Sequence, residues 1–409
     1  MVNDRILIDR EKRSHKIRQL SQLSDVVCLK ANVPGLDKNT PFAKVLIAYF
    51  AKTLQNTGLS LHEKLGGFDG DCCLFLTNNG KILKKRFVRL EDRHPLGRFC
   101  DVDVTLKNAN TSLSRKKLRK CFICNKPAFV CGKNNTHTHK ELLNHVNKQT
   151  EIYFTALLAK VVGDSMMTEL NLTDKFGLVS KTSNGSHSDL NYRLMKNAVN
   201  RIKTPLVQCF FVGLNAKNCN DMLSLLRPIG LKCEKEMYDA TKGANAYKGF
   251  IFIGGVILAS VGYLINKSLP YDQLQNVIRD VCKDIDSTPD KNTFGYKSYH
   301  TDGFGGIRKL ASNGFDVILK ESKTPNKPLL QTLCDVVGEI DDSVLLKRSL
   351  SFERYFYFKN LISSVETSNK KQVAQLNKLC VQNNISIGGS ADVLIATVLL
   401  KKLNEIFYF

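Results

Sequence analysis

Apolar residues recur along this chain with two periods, and the change from one to the other marks its organisation. Up to about residue 147, short runs either alternate with polar positions, as half-buried strands do, or return every three to four residues, as helices with one buried face do. Residues 10–23 place Ile17, Leu20 and Leu23 on one side of a helix, within the charged amphipathic stretch MVNDRILIDREKRSHKIRQL. VVCLKANVPG reads as an extended segment stopped by Pro34 and Gly35. PFAKVLIAYFAKTLQNTGL reads as a second amphipathic helix, ended by Asn56, Thr57 and Gly58. CCLFLTN and ILKKRFVRLED read as strands, and HPLG as the turn leading to a strand at GRFCDVDV. From EIYFTALLAKVVG onward helical spacing prevails, with helices predicted over 217–232, 234–242, 245–266, 271–287, 327–338, 352–366, 370–383 and 390–407. Polar, glycine-containing loops separate them: SKTSNGSHSD, ATKGANAYKG, YHTDGFGGIRK and NNISIGGSAD. The pattern predicts an α+β domain over 1–148 and an all-α domain over 149–409, joined in HVNKQTE.

Composition narrows the function classes. A hydrophobic content of 43% with few prolines is globular, and 409 residues suit two cores rather than one. Lys and Arg number 60 against 38 Asp and Glu, a net charge of +22 spread along the chain, which favours nucleic acid, anionic membrane or small polyphosphates as partners. Thirteen cysteines without framework spacing, and no apolar leader, predict reduced thiols and a cytoplasmic location. GFIFIGGVILASVGYLI, residues 249–265, is short for a bilayer crossing and glycine-interrupted, so a buried core helix and no membrane contact are predicted.

Within GRFCDVDV, strand geometry places Asp101 and Asp103 on the face that carries Phe99, with Cys100, Val102 and Val104 turned to the core. Residues two apart on a strand lie roughly 7 Å apart, close enough for both carboxylates to hold one divalent cation, as in nucleotidyl transfer. The competing reading is a half-exposed strand whose outward positions are acidic. Gly97 offers close backbone approach and Arg98 a phosphate-binding guanidinium. Downstream, Cys121 and Cys124 form a CxxC knuckle that Cys131, His137 and His139 could complete as a zinc site. Buried thiols in a turn, or histidines in a phosphate pocket, are the alternatives. In the helical half, His187 and Asp189 stand two apart, and Glu234 opens a helix that ends at TKGANAYKG. Arg308 follows the glycines of DGFGGIR, and Asp341 and Asp342 precede Arg348. Glycines admit phosphate to the backbone and acids paired with cations suit metal-phosphate binding, so the four loops are expected to converge.

NVPGLDK, HPLGRFCDVDV, SRKKLRKCFICNKPAFVC and HKELLNHV resemble the apo-citrate lyase phosphoribosyl-dephospho-CoA transferase family. That resemblance implies a nucleotidyltransferase-like domain that attaches the citrate lyase prosthetic group to a serine of the acyl carrier protein (gamma subunit), releasing diphosphate. It makes Gly97, Arg98, Asp101 and Asp103 the core of the site, with Mg²⁺ on the aspartates, and matches Arg10, Arg13, Asn32 and Lys38 to further family positions. FGLVS, NGSHSDL, GLKCEKEMYDATKGANAYKGFIF, GFGGIRKLASNGF, IDDSVLLKR and NISIGGSADVL resemble the all-helical triphosphoribosyl-dephospho-CoA synthase family. Its reaction joins ATP to 3'-dephospho-CoA: the ribose 2'-hydroxyl attacks C1' of the ATP ribose and adenine leaves. The resemblance assigns catalysis to His187, Asp189 and Glu234, and phosphate or nucleotide contacts to Lys248, Arg308, Arg348, Gly388 and Gly389. It assigns Mg²⁺ to Asp341 and Asp342. The chain departs from the family pattern at Ala246, Tyr247, Leu310 and Ile387, so an inactive synthase half beside an active transferase is one alternative. A basic zinc-knuckle protein of nucleic acids is another, disfavoured by the absence of tryptophan and of a single basic face. The pathway that matures malonate decarboxylase is a nearer rival, and the HPLGRFCDVDV and CxxC wording favours the citrate system.

Overall fold

The computed structural model describes residues 2–115, 117–124, 126–285 and 304–408. The chain divides into two compact units, Met1–Thr155 with Glu405–Phe409, and Ala156–Asn404.

The first unit is α+β. Its elements are α1 (Val2–Ser21), β1 (Asp25–Ala31), α2 (Pro41–Gln55), β2 (Ser60–Leu65), β3 (Cys72–Thr77), α3 (Gly80–Arg93), β4 (Cys100–Thr105), α4 (Ala128–Lys133) and the start of α5 (His139–Leu170). The strands form one antiparallel sheet ordered β2-β3-β1-β4. Thr40 caps α2 by accepting from the Ala43 amide, Pro41 sits where no intrahelical donor is needed, and Val45, Leu46, Phe50 and Leu54 are buried along one face. On one side of the sheet Val26 and Cys28 pack with Leu20, Cys72 and Leu74.

Strand β4 lies at the sheet's edge, and α3 covers that edge. The Val102 N–H donates to Glu91 Oε1 at 2.9 Å and Lys84 Nζ donates to the Val102 carbonyl at 3.0 Å. Here the sequence reading needs correction: ILKKRFVRLED is helical. Leu83, Phe87 and Glu91, four apart, form its buried face. Phe99 also differs from expectation. It sits in a 3-10 turn, Gly97–Phe99, and is buried instead of sharing the outward face of Asp101. Strand β2 was not expected, because half its positions are exposed and carry little apolar signal.

The second unit is helical. Besides the end of α5 it contains α6 (Tyr192–Leu206), α7 (Gln208–Asn215), α8 (Met222–Thr241), α9 (Lys248–Lys267), α10 (Leu274–Cys282), α11 (Gly306–Ser312), α12 (Asp316–Lys323), α13 (Leu329–Glu339), α14 (Ser343–Ser349), α15 (Phe352–Ser363), α16 (Lys370–Gln382) and α17 (Gly388–Ile406). Helix α9 is long and apolar enough to cross a membrane by length and composition, and 78% of that stretch is buried within the structure. It packs on α7 at backbone distance: a Cβ on Gly213 would lie 1.8 Å from the Ala259 carbonyl oxygen, and one on Gly262 would lie 2.3 Å from that of Phe210. The segments 217–232 and 234–242 are a single helix, α8, with Pro228 inside it, so Glu234 lies in a helix interior and not at a helix start. Residues 286–287 of one predicted helix and 299–303 of the loop YHTDGFGGIRK lie outside the described residues.

Candidate active sites

In the first unit Asp101 and Asp103 stand on one face of β4, with side chains 31% and 48% exposed. Their antiparallel partners on β1 are Lys30 and Cys28. Asp101 accepts a hydrogen bond from Arg119 Nη2, and Asp103 faces Lys84 Nζ at 3.5 Å. Arg119 also reaches the buried Glu91 at 3.3 Å, as does Arg115 at 3.0 Å. Burial pushes the Glu91 carboxyl up, against the pull of the Val102 amide and Arg119. Arg98 donates to the Lys120 carbonyl at 2.5 Å and lies over the Phe122 ring at 5.6 Å. Its Nε and Nη1 are buried without a partner among the described residues. Burial, then Arg119 and Arg115, lower its pKa, so an anion at this corner would be stabilising.

The second element of this site is Asp69, which sequence reasoning missed. Its carboxylate takes Arg10 Nε at 3.0 Å, Arg13 Nη1 at 2.6 Å and Lys30 Nζ at 2.7 Å. Burial raises its pKa, yet these three cations outweigh burial and hold it at about 2. Lys38 donates to the Val33 carbonyl at 2.5 Å, and Asn32 donates to that of Arg98 at 3.2 Å. Arg13, Lys16 and Gly70 help line an open cavity of about 740 Å³. Arg10, Arg13 and Lys30 are thus gathered by one buried acid. Gly97 calls for a correction. A Cβ there would lie 2.3 Å from the Leu90 carbonyl oxygen, so the close approach that glycine permits is to the end of α3 and not to a phosphate.

Cys121, Cys124, Cys131 and His137 bring their ligand atoms within 4.8 Å of one another. His139 is exposed at the start of α5 and does not join them.

In the second unit the predicted loops meet. Gly177, at φ +80°, would place a Cβ 1.9 Å from the Ile385 carbonyl oxygen, and Gly185, at φ +60°, one 2.2 Å from that of Gly177. Only glycine allows this stacking of residues 176–180, 184–189 and 384–388. Arg348 clamps it by donating to the Ser186 carbonyl and to Asn384 Oδ1, both at 2.7 Å. Its Nη2 faces His187 Nδ1 at 3.2 Å, while His187 Nε2 faces Ser386 Oγ at 3.1 Å. Both ring nitrogens therefore have protein partners, and burial with Arg348 beside it lowers the His187 pKa to about 4. His187 thus bridges Arg348 and Ser386 across the stacked loops. Asp189, 61% exposed and 3.8 Å away, is the accessible acid of this loop.

Because the folded His187 titrates below its unfolded value of roughly 6.5, the unfolded chain binds more protons beneath that pH. Stability of the helical unit is expected to fall as pH drops from about 6.5 towards 4. Denaturant titrations at stepped pH should show this slope, and His187→Gln should flatten it; an unchanged slope would exclude His187 as its source.

Asp342 also departs from expectation. It is buried, and its Oδ1 accepts from the amides of Val344 at 2.9 Å, Leu345 at 3.0 Å and Gly389 at 3.2 Å. Its Oδ2 accepts from the Ser390 amide at 2.7 Å and hydroxyl at 2.8 Å. One carboxylate thus ties the N-termini of α14 and α17 together, and the end of α17, with Gly388 and Gly389, is occupied by an internal anion instead of a phosphate. Asp341 sits between Lys309 at 3.2 Å and Lys359 at 3.9 Å. Both Asp342 oxygens are taken by internal donors, so this pair does not fit a Mg²⁺ site, which corrects that assignment.

Glu234 pairs with Lys248 at 3.0 Å, bringing the interior of α8 to the start of α9. A Cβ on the next residue, Gly249, would lie 2.2 Å from Asp392 Oδ2. Asp392 is a further residue that sequence reasoning missed. Burial, then Asp342 and Glu169, push its carboxyl well above the usual range. Arg308 lies in α11, and Gly305, the residue before that helix, abuts Asp341. Of the departures from family pattern, Tyr247, Leu310 and Ile387 are buried and Ala246 is half-buried, and the Tyr247 hydroxyl has no hydrogen-bond partner among the described residues.

Comparison with known proteins gives two matches in tandem. The model of the apo-citrate lyase phosphoribosyl-dephospho-CoA transferase family matches residues 2–153, and that of the ATP:dephospho-CoA triphosphoribosyl transferase family matches residues 155–408. The chain is 27% identical over 446 aligned positions to Protein CitXG of Leuconostoc mesenteroides subsp. cremoris, covering 96% of this chain and 95% of that one. It is 26% identical over 359 positions to Protein CitXG of Haemophilus influenzae, covering 78% and 77%. It is 29% identical over 281 positions to a probable 2-(5''-triphosphoribosyl)-3'-dephosphocoenzyme-A synthase of Photobacterium profundum, covering 61% of this chain and 89% of the relative.

Proposed function

The chain belongs to the ATP:dephospho-CoA triphosphoribosyl transferase family, and from that premise we propose that its two units perform consecutive steps in making and attaching the citrate lyase prosthetic group. In the helical unit ATP and 3'-dephospho-CoA would give 2'-(5''-triphosphoribosyl)-3'-dephospho-CoA and free adenine. In the first unit, a nucleotidyltransferase-like domain on this reading, the serine oxygen of the apo-citrate lyase acyl carrier protein would attack the α-phosphorus. A new P–O bond forms as the bond to diphosphate breaks. The observation that carries this reading is the tandem match over almost the whole chain, together with a part-exposed aspartate pair on the sheet face that also carries Lys30.

Asp101 and Asp103 fit a Mg²⁺ ion, being part-exposed on one strand face. Mg²⁺ there would neutralise charge on the phosphates as diphosphate departs. Arg98, with two buried guanidinium nitrogens unpartnered among the described residues, would bind phosphate oxygens. Arg119 would orient Asp101, and Arg10 and Arg13, both held by Asp69, would supply positive charge, Arg13 from the cavity lining. In the helical unit Asp189 or Glu234 would take the hydroxyl proton, and Lys248, Arg308 and Arg348 would supply positive charge for the triphosphate. Arg348 would act chiefly by holding the loops. The location would be the cytoplasm, where these substrates occur.

Incubating the protein with ATP and 3'-dephospho-CoA should release one adenine per coupled product, followed by chromatography. Addition of apo acyl carrier protein should then produce a mass increase equal to the attached prosthetic group. No adenine release, with attachment still seen when triphosphoribosyl-dephospho-CoA is supplied, would establish the transferase alone and refute the synthase half.

A further inference from the structure

The described residues of the segment 118–138 have little apolar packing to hold them. Leu118, Ile123 and Phe129 are exposed at 69%, 41% and 61%, so the apolar side chains here do not form a core of their own. Yet this segment delivers the groups that fix the Asp101 corner. Arg119 bonds Asp101 and Glu91, the Lys120 carbonyl receives Arg98, and Phe122 lies edge-on to Phe99 at 5.4 Å. Something other than apolar burial must define this conformation.

Local geometry supplies the candidate. The Cys121 amide donates to the Lys126 carbonyl at 2.9 Å and the Ala128 amide to that of Arg119 at 2.8 Å, two backbone bonds that tie the ends of the CxxC stretch together. Helix α4 then brings Cys131, which is buried, and the loop after it brings His137. Cys124 Sγ lies 3.4 Å from both Cys131 Sγ and His137 Nε2. Tetrahedral zinc, with Zn–S near 2.3 Å and Zn–N near 2.0 Å, requires ligand separations of about 3.5–3.8 Å. A small contraction or expansion of the cluster would seat the ion. Three thiols and one imidazole form a soft, closed set, which selects zinc over Mg²⁺ and leaves no position for substrate.

We propose that Cys121, Cys124, Cys131 and His137 bind a structural Zn²⁺, and that this ion acts as a positioning element for the transferase site by holding Arg119 and the Lys120 carbonyl against Asp101 and Arg98. The metal site stands on its own geometry; the positioning role rests on the reading of Asp101 as part of the transferase site. His139, exposed and outside the cluster, is not a ligand.

The full-length protein, purified without chelator, should carry one equivalent of zinc by mass spectrometry of the metal. Cys124→Ser and His137→Ala should lose it, and His139→Ala should keep it. With triphosphoribosyl-dephospho-CoA supplied, carrier-protein attachment by Cys124→Ser should fall at least about tenfold, the range typical of lost supporting interactions. Cys124→His, which restores a ligand, should recover both zinc and attachment, which a merely misfolded segment would not do. A wild-type chain without zinc that also fails to bind added Zn²⁺ or Co²⁺ overturns the site, as does loss of zinc in His139→Ala. Zinc lost in Cys124→Ser with attachment unchanged overturns the positioning role. Zinc present in a wild-type protein that never modifies the carrier refutes the transferase reading and leaves the metal site standing.

Discussion

Asp101→Ala and Asp103→Ala should each reduce modification of the acyl carrier protein by about 10²-fold or more, while adenine release from ATP and 3'-dephospho-CoA stays at the wild-type level. The size follows from removing a charged group that would act on the departing diphosphate, where loss of one electrostatic contact typically costs 10²–10³ in rate. The two substitutions need not be equal. Asp101 is held by Arg119, so its loss also removes one of the two carboxylates that hold this half-buried guanidinium. Asp103 has only a longer contact to Lys84 and greater exposure, so its removal tests the cation site with less disturbance. Mass spectrometry of the carrier protein and chromatographic quantification of adenine read the two halves separately. Wild-type attachment in both variants would remove the aspartates from the mechanism. Parallel loss of both activities would point to a folding defect.

Asp342→Ala should destabilise the helical unit by about 4 kcal/mol, as two helix caps are lost together at up to ~2 kcal/mol each. Few single residues satisfy four amides and a hydroxyl, and alanine would leave those donors buried without partners. Asp342→Asn keeps an acceptor and should fall between the two. Urea unfolding followed by circular dichroism gives the difference, and adenine release should fall in parallel because the helix starts that carry Arg348 and Gly389 lose their common anchor. A midpoint unmoved by Asp342→Ala would show that the cap contacts contribute nothing net.

The division into a mixed first part and a helical second part was legible because it rests on hydrophobic period, which burial of one helix face writes directly into sequence. The failure at ILKKRFVRLED has a physical cause. Two of its β-favouring residues, Ile82 and Val88, sit away from the buried face, and one of the groups on that face is Glu91, whose burial serves the neighbouring strand edge. No alphabet of apolar and polar positions anticipates a buried glutamate. Asp69 and Asp392 were invisible for a similar reason: each gains its character from residues distant in sequence, Asp69 from Arg10, Arg13 and Lys30, and Asp392 from Asp342 and Glu169. Asp342 was legible as important but not as what it is, because a capping carboxylate and a metal ligand look alike until their donors are known. The glycines divide likewise. Gly177 and Gly185 are explained by backbone stacking, a contact between loops that spacing suggested only collectively.

The cover that α3 places on β4 bears on how a carrier protein can be recognised. The main-chain groups of Val102 are engaged by Glu91 and Lys84, and the Val104 carbonyl accepts from Leu113. A visiting protein cannot extend the sheet there by lending a strand, so the generic main-chain template that many peptide binders exploit is closed. Discrimination among carriers then falls to side chains alone. Retargeting such an enzyme to a different carrier becomes a matter of rewriting surface residues around an unaltered scaffold, with no change to its strand pairing.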